Sequence, residues 1–370
     1  MMKDNVFARA SKEHAIFKDE RALSPEYLPE VLPHRDTQIQ TLVYALKPLA
    51  EGGNASHVFV FGPPGTGKTV TLKFVMQQLK DFSARVKPVY INCFALNSRQ
   101  AVLAELTRVV ERPVPARGMS TNELYAKVLE GMKFASFVPV LVFDEFDQLL
   151  ANDGNELLYD LLRLPEHGRK AIPIILISND TSIPSKLDDR VRSSFSHEAV
   201  EFPQYAPPQL KDILRERAKM AMHPDAISED IISLIAGHAA KHGGDCRKGL
   251  DALLKAGKIA ERKNANKIEV EHAKEAFEDR EVIAVMRAVP FLQIPQKQVL
   301  QALFKLGGKN IPSNALYGQM ARMGFELSDR RVREIVVELE VKKLLRTETD
   351  TSGRGRTKNI TVLLPEDALK

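Results

Sequence analysis

Two cysteines in 370 residues, Cys93 and Cys246, are too few for a disulfide framework or a zinc cage. Such usage fits a reducing cytoplasm. The nine histidines are scattered without ligand spacing, which gives a metal centre built on imidazoles no support. No apolar run approaches the roughly 20 residues that a bilayer span requires, so a membrane partner is not expected. The N-terminal stretch MMKDNVFARASKEHAIFKDE alternates charges and lacks an apolar segment, unlike a secretory signal. Internal repeats and low-complexity tracts are also missing. What is present, 44% hydrophobic and 27% charged residues, is the composition of a soluble globular chain. Its length calls for two or three domains.

The net charge of +5 is unevenly spread. Residues 285–370 hold 15 Lys and Arg against 9 Asp and Glu, an excess of six, whereas the preceding 284 residues carry 38 against 39. A polyanion partner at the C-terminal end is the simplest consequence.

The strongest local signal is FGPPGTGKTVTLKF. Gly62-Pro63-Pro64-Gly65-Thr66-Gly67-Lys68-Thr69 fits G-x-x-x-x-G-K-[ST], the phosphate-binding loop, and Val70 follows it. An apolar run, His57 to Phe61, precedes it, and Leu72, Val75, Met76 and Leu79 follow at helical spacing. Strand, glycine loop and helix is the context in which backbone N–H groups and a helix N-terminus converge on phosphate oxygens. Lys68 is placed to reach β- and γ-phosphates, and Thr69 to hold Mg²⁺. A plain Gly/Pro turn is the alternative, and it leaves the complete set of fixed positions unexplained.

PVLVFDEFDQL supplies a second half-site. Its apolar strand ends in Asp144, suited to the Mg²⁺ shell, and Glu145, suited to orient and deprotonate water. The bland alternative is two acids opening a helix. Asn179 ends the next apolar run, IILISND, where an amide can touch a γ-phosphate and attacking water; a turn asparagine is the competing reading. Arg247 lies in the first turn after Gly243-Gly244-Asp245, an unfavourable place for a cation, which a phosphate partner from the other domain would explain and solvation at the surface would explain too.

Five apolar runs separated by helical patterns predict an α/β domain with a parallel sheet covered on both faces. They are His57–Phe61, Val89–Asn92, Val138–Phe143, Ile172–Ser178 and Glu198–Phe202. From Pro207 onward the strand signal gives way to helices, a small helical domain. The expected boundaries are 1–205, 206–284 and 285–370. In the last segment Val332, Ile335, Val336 and Leu339 share a helical face, with Ser328 as N-cap and Arg330, Arg331 and Arg333 in its first turns. A turn with Arg354, Arg356 and Lys358 follows, between apolar runs Leu344–Thr349 and Ile360–Leu364. Helix plus basic hairpin predicts a winged helix-turn-helix that binds double-stranded DNA. An ordinary solvated basic surface is the alternative.

Phosphate loop, Asp-Glu pair, strand-terminal Asn179, helical lid and Arg247 occur in the order that resembles an AAA+ ATPase. LPHRDTQI, ISND, RVRSSFSHEAVEFPQYAPPQLKDILRERA and GGDCRKGLD resemble the archaeal origin-binding replication initiators related to origin recognition complex subunit one and cell division cycle protein six. The likeness runs from about Ile16 to Leu364. It implies a P-loop AAA+ domain, a lid and a C-terminal winged helix, with ATP or ADP as cofactor. It also implies origin DNA, the replicative helicase and other initiator subunits as partners, with slow ATP hydrolysis as a switch. By this resemblance Tyr205 and Arg217 line the nucleotide pocket, His34 and Arg35 lie near the adenine, and Asn179 and Arg247 are the sensors. A DNA-contacting insertion is implied within Leu96–Ser120, where Arg108, Arg112 and Arg117 fall. Ser194 departs from the arginine finger of related eukaryotic subunits, with Arg190 and Arg192 nearby, and Cys246 replaces a small residue. A clamp-loader-like remodelling ATPase and a nucleotide-gated winged-helix transcription regulator are the competing functions.

Overall fold

A computed structural model describes residues 16–110, 118–168, 171–277, 292–325, 327–342, 344–350 and 357–363. The chain divides into two compact units, Met1–Glu275 and Ala276–Lys370. The expected sheet falls within the first, as does the expected helical lid (206–284) up to Glu275.

Five strands, β1 (His57–Phe61), β2 (Val86–Asn92), β3 (Val138–Asp144), β4 (Ile174–Ser178) and β5 (His197–Glu201), form a parallel sheet in the order β2-β3-β4-β1-β5. The strands β3 and β4 are solvent-free along nearly their whole length. Continuous apolar runs are the signature of strands covered on both faces. Phe59, Phe143, Phe146 and Phe202 are among the largest fully buried side chains, each contributing roughly 1.5–3 kcal/mol on burial. The second strand starts at Val86, three residues before the apolar run that predicts it, because Lys87 and Pro88 conceal its beginning. Its register with β3 nonetheless runs unbroken from Val86↔Val138 to Asn92↔Asp144. Pro88 is tolerated because β2 is an edge strand, which leaves one backbone face without a partner.

The order of strands positions the site. With β4 between β1 and β3, the loop after β1 and the carboxylates ending β3 lie at the same sheet edge. The chain crosses outward from β1 to β2 on one side and reaches β5 on the other. Ligands settle at such switch points, beyond the carboxyl ends of the strands.

Helices Pro207–Ala221, Glu229–Lys241, Cys246–Arg262 and Val270–Phe277 follow β5. Prolines at the first two positions of the first helix cost no hydrogen bond there. Gly249 allows close packing: a Cβ there would lie 3.1 Å from Leu214. The N-terminal segment docks on these helices. Phe17 fills the notch at Gly257, where a Cβ would approach its ring to 2.2 Å, and the N–H groups of Lys18 and Asp19 donate to the Ala221 carbonyl.

The second unit contains, among the described residues, helices Ile294–Lys305, Ser313–Arg322 and Asp329–Val341. Its strands β6 (Ile311–Pro312), β7 (Leu345–Asp350) and β8 (Thr357–Val362) form an antiparallel sheet in the order β6-β8-β7. Val299, Leu303, Leu316, Val332, Ile335, Leu339 and Ile360 build a separate core. Helix, strand, helix, helix and hairpin is the order expected of the winged helix-turn-helix. The Ser328 hydroxyl caps the third helix by accepting from the Arg331 N–H. No helix among the described residues is long and apolar enough to cross a membrane.

Candidate nucleotide site

The phosphate loop is shaped by backbone freedom at three glycines. Gly62, Gly65 and Gly67 have φ of 141°, 71° and 88°, a region other residues enter at a cost. Space excludes other residues as well: a Cβ at Gly62 would lie 2.2 Å from the Phe202 carbonyl, and one at Gly65 only 1.7 Å from an Asp245 oxygen. Five of the loop's carbonyls are engaged. Lys68 Nζ donates to Gly62 (2.6 Å) and Pro63 (2.8 Å), and the Thr66 hydroxyl also donates to Pro63. The Gly65 carbonyl accepts from Cys246 N–H, that of Thr66 from the Arg35 guanidinium, and that of Gly67 from Thr71 N–H. With these oxygens committed, the N–H groups opening the helix Lys68–Phe82 have no intrahelical acceptor and suit an anion.

The predicted catalytic residues converge. Asn179 bridges two of them: its Oδ1 accepts from Lys68 Nζ at 2.7 Å, and its Nδ2 donates to Glu145 Oε2 at 2.9 Å. The Thr69 hydroxyl donates to Asp144 Oδ2 at 2.9 Å, so the hydroxyl and carboxylate suited to Mg²⁺ already lie side by side. Glu145 is held with φ of 56° at the start of the helix Phe146–Leu150, a left-handed conformation uncommon for a non-glycine residue. Burial, reinforced by Asp144 and Asp147, raises the Glu145 carboxyl above the usual carboxylate range, towards greater basicity.

These groups face a cavity of about 480 Å³. Residues Gly65 to Val70, Asp144, Glu145 and Asn179 line one end; Tyr205, Arg217 and Arg247 line it too. Arg247 follows the helix-capping Asp245, whose carboxylate accepts from the Arg247 N–H. The cation expected to meet an anion from the neighbouring domain therefore does face the phosphate loop.

Several of these residues also make contacts of their own within the fold. Arg35 is buried and does not line the cavity. It packs behind the loop, donating twice to the Thr66 carbonyl, with its guanidinium 3.8 Å from the Tyr205 ring centre. Gly62, Pro63 and Pro64 likewise frame the loop and lie outside the cavity lining. His34, with φ of 63°, pairs with Asp212 of the lid helix at 3.0 Å. Arg217 anchors the N-terminal segment: it donates to the Ser24 and Tyr27 carbonyls at 2.6 and 3.3 Å and lies over the Tyr27 ring. Ser194 ends a short helix, while Arg190 stacks on Tyr159 and Arg192 pairs with Asp189.

The apolar end of the cavity escaped the sequence reading. Tyr27, Val31, Leu32, Ile213, Met220 and Leu250 form it. Ile213 and Met220 flank Arg217 at helical spacing, and three prolines mark an extended segment between Pro25 and Pro33. Only the fold shows that these two stretches face each other.

Burial lowers Lys68 from its usual 10.5 to about 8, against the opposing pull of Glu145. Its folded value lies below its unfolded one, so the free protein recovers stability from this group as pH rises from about 8 towards 10.5. Nucleotide phosphate needs the ammonium form. Affinity is therefore expected to be highest below pH 8 and to fall above it by up to about tenfold per pH unit. Calorimetric titration with ADP across that range checks this, and a flat profile would remove Lys68 from the groups that hold phosphate.

In the second unit, Arg330, Arg331, Arg333 and Lys358 are all placed. Arg330 is 91% exposed and pairs with Glu334; Arg331 pairs with Glu334 and Glu338; Arg333 donates to the Tyr317 hydroxyl. Lys358 is exposed on β8. Arg354 and Arg356 lie outside the described residues, as do Arg112 and Arg117. Arg108 lies in the last turn of the helix Arg99–Val109, paired with Glu105.

Comparison with known proteins agrees with this fold. An AAA domain model matches residues 51–187, and a Cdc6 AAA+ ATPase-type lid domain model matches residues 211–278. The ORC1-type DNA replication protein of Pyrococcus abyssi is 37% identical over 96% of this chain and 90% of its own length. ORC1-type DNA replication protein 1 of Sulfurisphaera tokodaii is 35% identical over 99% and 94%. The solved structure of the Aeropyrum pernix ORC1 protein in complex with DNA superposes with a TM-score of 0.73 at 30% identity, covering 97% of this chain and 96% of that one. On identity over nearly its full length, this chain belongs to the ORC1-type DNA replication protein family.

Proposed function

We propose that this protein is a replication initiator that binds origin DNA, helps to load the replicative helicase, and uses ATP binding and slow hydrolysis as its switch. The observation that carries the reading is the Lys68–Asn179–Glu145 bridge, which faces the lid residue Arg247 in one chain with a basic C-terminal unit. A γ-phosphate recruiting Lys68 competes with Asn179 for it. The amide that senses the phosphate is the same one that holds the general base.

The residues fit ATP and Mg²⁺. The loop from Gly65 to Val70 would hold the phosphates, and Thr69 and Asp144 the metal. Tyr27, Val31, Leu32, Ile213 and Leu250 offer an apolar berth for the base. Mg²⁺ held at Thr69 and Asp144 would neutralise charge on the phosphates. Glu145 orients and deprotonates water, and Arg247 adds positive charge from the lid. The working division is 1–205 for the AAA+ domain, 206–284 for the lid and 285–370 for DNA, in a cytoplasmic protein that also meets other initiator subunits. The Aeropyrum pernix relative, solved with DNA, supports the same partner here.

Footprinting the purified protein across its own genome with ATP and with ADP tests the reading. Protection is expected at a few discrete duplex sites, with a pattern that changes between nucleotides. Uniform protection, identical with both nucleotides, would refute a switched initiator.

A further inference from the structure

The helix expected to enter the DNA groove is acidic. Between Asp329 and Val341 it carries three arginines against Asp329, Glu334, Glu338 and Glu340, although residues 285–370 as a whole are strongly basic. Such a helix is not built to be drawn to phosphates wherever they occur.

Its geometry singles out one carboxylate. Val332, Ile335, Val336 and Leu339 are buried in the core. At 3.6 residues per turn, Arg330, Glu334, Val337 and Val341 form the ridge diametrically opposite. That ridge is exposed, with Val337 at 51% and Val341 at 79%. Glu334 sits mid-ridge and accepts from two arginines, Arg330 at 3.3 Å and Arg331 at 3.0 Å. Glu338 differs: it lies off the ridge, half-buried, and accepts from buried Gln296 at 2.7 Å. Its role is to join two helices.

We infer that Glu334 is the specificity-determining residue of this helix, accepting a hydrogen bond from a cytosine N4 amine in the major groove while holding Arg330 and Arg331 away from indiscriminate pairing with phosphates. The inference rests on the reading of Asp329–Val341 as the groove-entering helix. A carboxylate on the leading ridge is repelled by the duplex unless a donor meets it. Among major-groove edges, the cytosine amine is the donor that carboxylates pair with, and arginine forks onto guanine. Arg330 lies one turn before Glu334 on the same ridge, so the two side chains reach neighbouring base pairs. The preferred substrate is therefore a duplex with G·C pairs where the helix meets the groove, with discrimination arising as much from repulsion at wrong sites as from attraction at the right one.

The test uses the full-length chain. A randomised duplex pool is selected with the wild-type protein, and the selected duplex and the unselected pool are then titrated at several salt concentrations. Glu334→Gln keeps the shape and removes the charge. It is expected to bind the unselected pool roughly threefold to tenfold more tightly, with a salt slope steeper by about one. The preference for the selected duplex should fall about tenfold. A DNA-side measurement does not depend on how the variant folds: replacing cytosines one at a time by thymine should reveal one position costing the wild type about tenfold. That cost should shrink with Glu334→Gln, whose amide oxygen still accepts but carries no charge, and vanish with Glu334→Ala. If Glu334→Gln leaves pool affinity and preference unchanged while Arg330→Ala/Arg331→Ala abolishes preference, the Glu334 assignment is overturned and the groove-entering helix stands. If the arginine pair can also be removed without effect, the helix does not touch DNA and both readings fall.

Discussion

Replacing Glu145 by glutamine is expected to leave ATP binding within about twofold and to lower turnover by roughly 10²–10⁴-fold, the usual contribution of a general base. Glutamine preserves the side-chain length and can still meet the Asn179 amide, so the phosphate loop and its bonded carbonyls are undisturbed. What disappears is the proton acceptor. Burial, with Asp144 and Asp147, raises the Glu145 carboxyl above the usual range, which suits the proposed role. A folded value above the unfolded one means that the ionised carboxylate costs stability: what the group contributes in acid is lost as pH rises through the folded value. The variant should thus unfold at a higher temperature than wild type near neutral pH, and the gap should close in acid. Single-turnover hydrolysis and thermal unfolding at two pH values measure both effects. Unimpaired turnover by the variant would move the base elsewhere. Steady hydrolysis of tens per second by the wild-type monomer would contradict a slow switch, since the position of the expected arginine finger holds Ser194 and such arginines contribute about 10³–10⁵.

The second large effect concerns DNA. Removing Arg354 and Arg356 together is expected to weaken binding to every duplex alike, with a salt slope shallower by roughly two, about 0.9 for each phosphate no longer neutralised. Removing Arg330, Arg331 and Arg333 should instead cut the preference for the origin site, by roughly 1–3 kcal/mol for each guanine left without its arginine fork, more than it lowers non-specific affinity. The structure sharpens that contrast. Arg331 and Arg333 are already held by Glu334, Glu338 and Tyr317, so their forks are partly oriented rather than free to follow any phosphate. Paired titrations of origin and scrambled duplexes at several salt concentrations separate the two behaviours. Equal affinities after deletion of residues 285–370 would show that DNA binding lies elsewhere in the chain.

Local chemistry was legible in the amino-acid order because it depends on local geometry. A glycine loop between an apolar strand and a helix can do little but cradle an anion, and Gly62, Gly65 and Gly67 adopt the backbone that this requires. The acids after β3, Asn179 after β4 and the Ser328 cap were readable for the same reason: each marks the end of an element whose period is written in its neighbours. Long-range pairing is not so written. Nothing in Arg35 or Arg217 reveals that one props the phosphate loop from behind and the other ties Ser24 and Tyr27 to the lid, because a buried guanidinium bonds whichever carbonyls the fold brings to it. Nor does the ridge of Arg330 and Glu334 stand out among surface charges until the core beneath fixes which side of the helix faces outward. By itself the sequence determined which elements form and which chemistry ends each strand. Only the tertiary structure decided which buried charge meets which carbonyl, since burial makes an unpaired polar group costly and the packing alone chooses its partner.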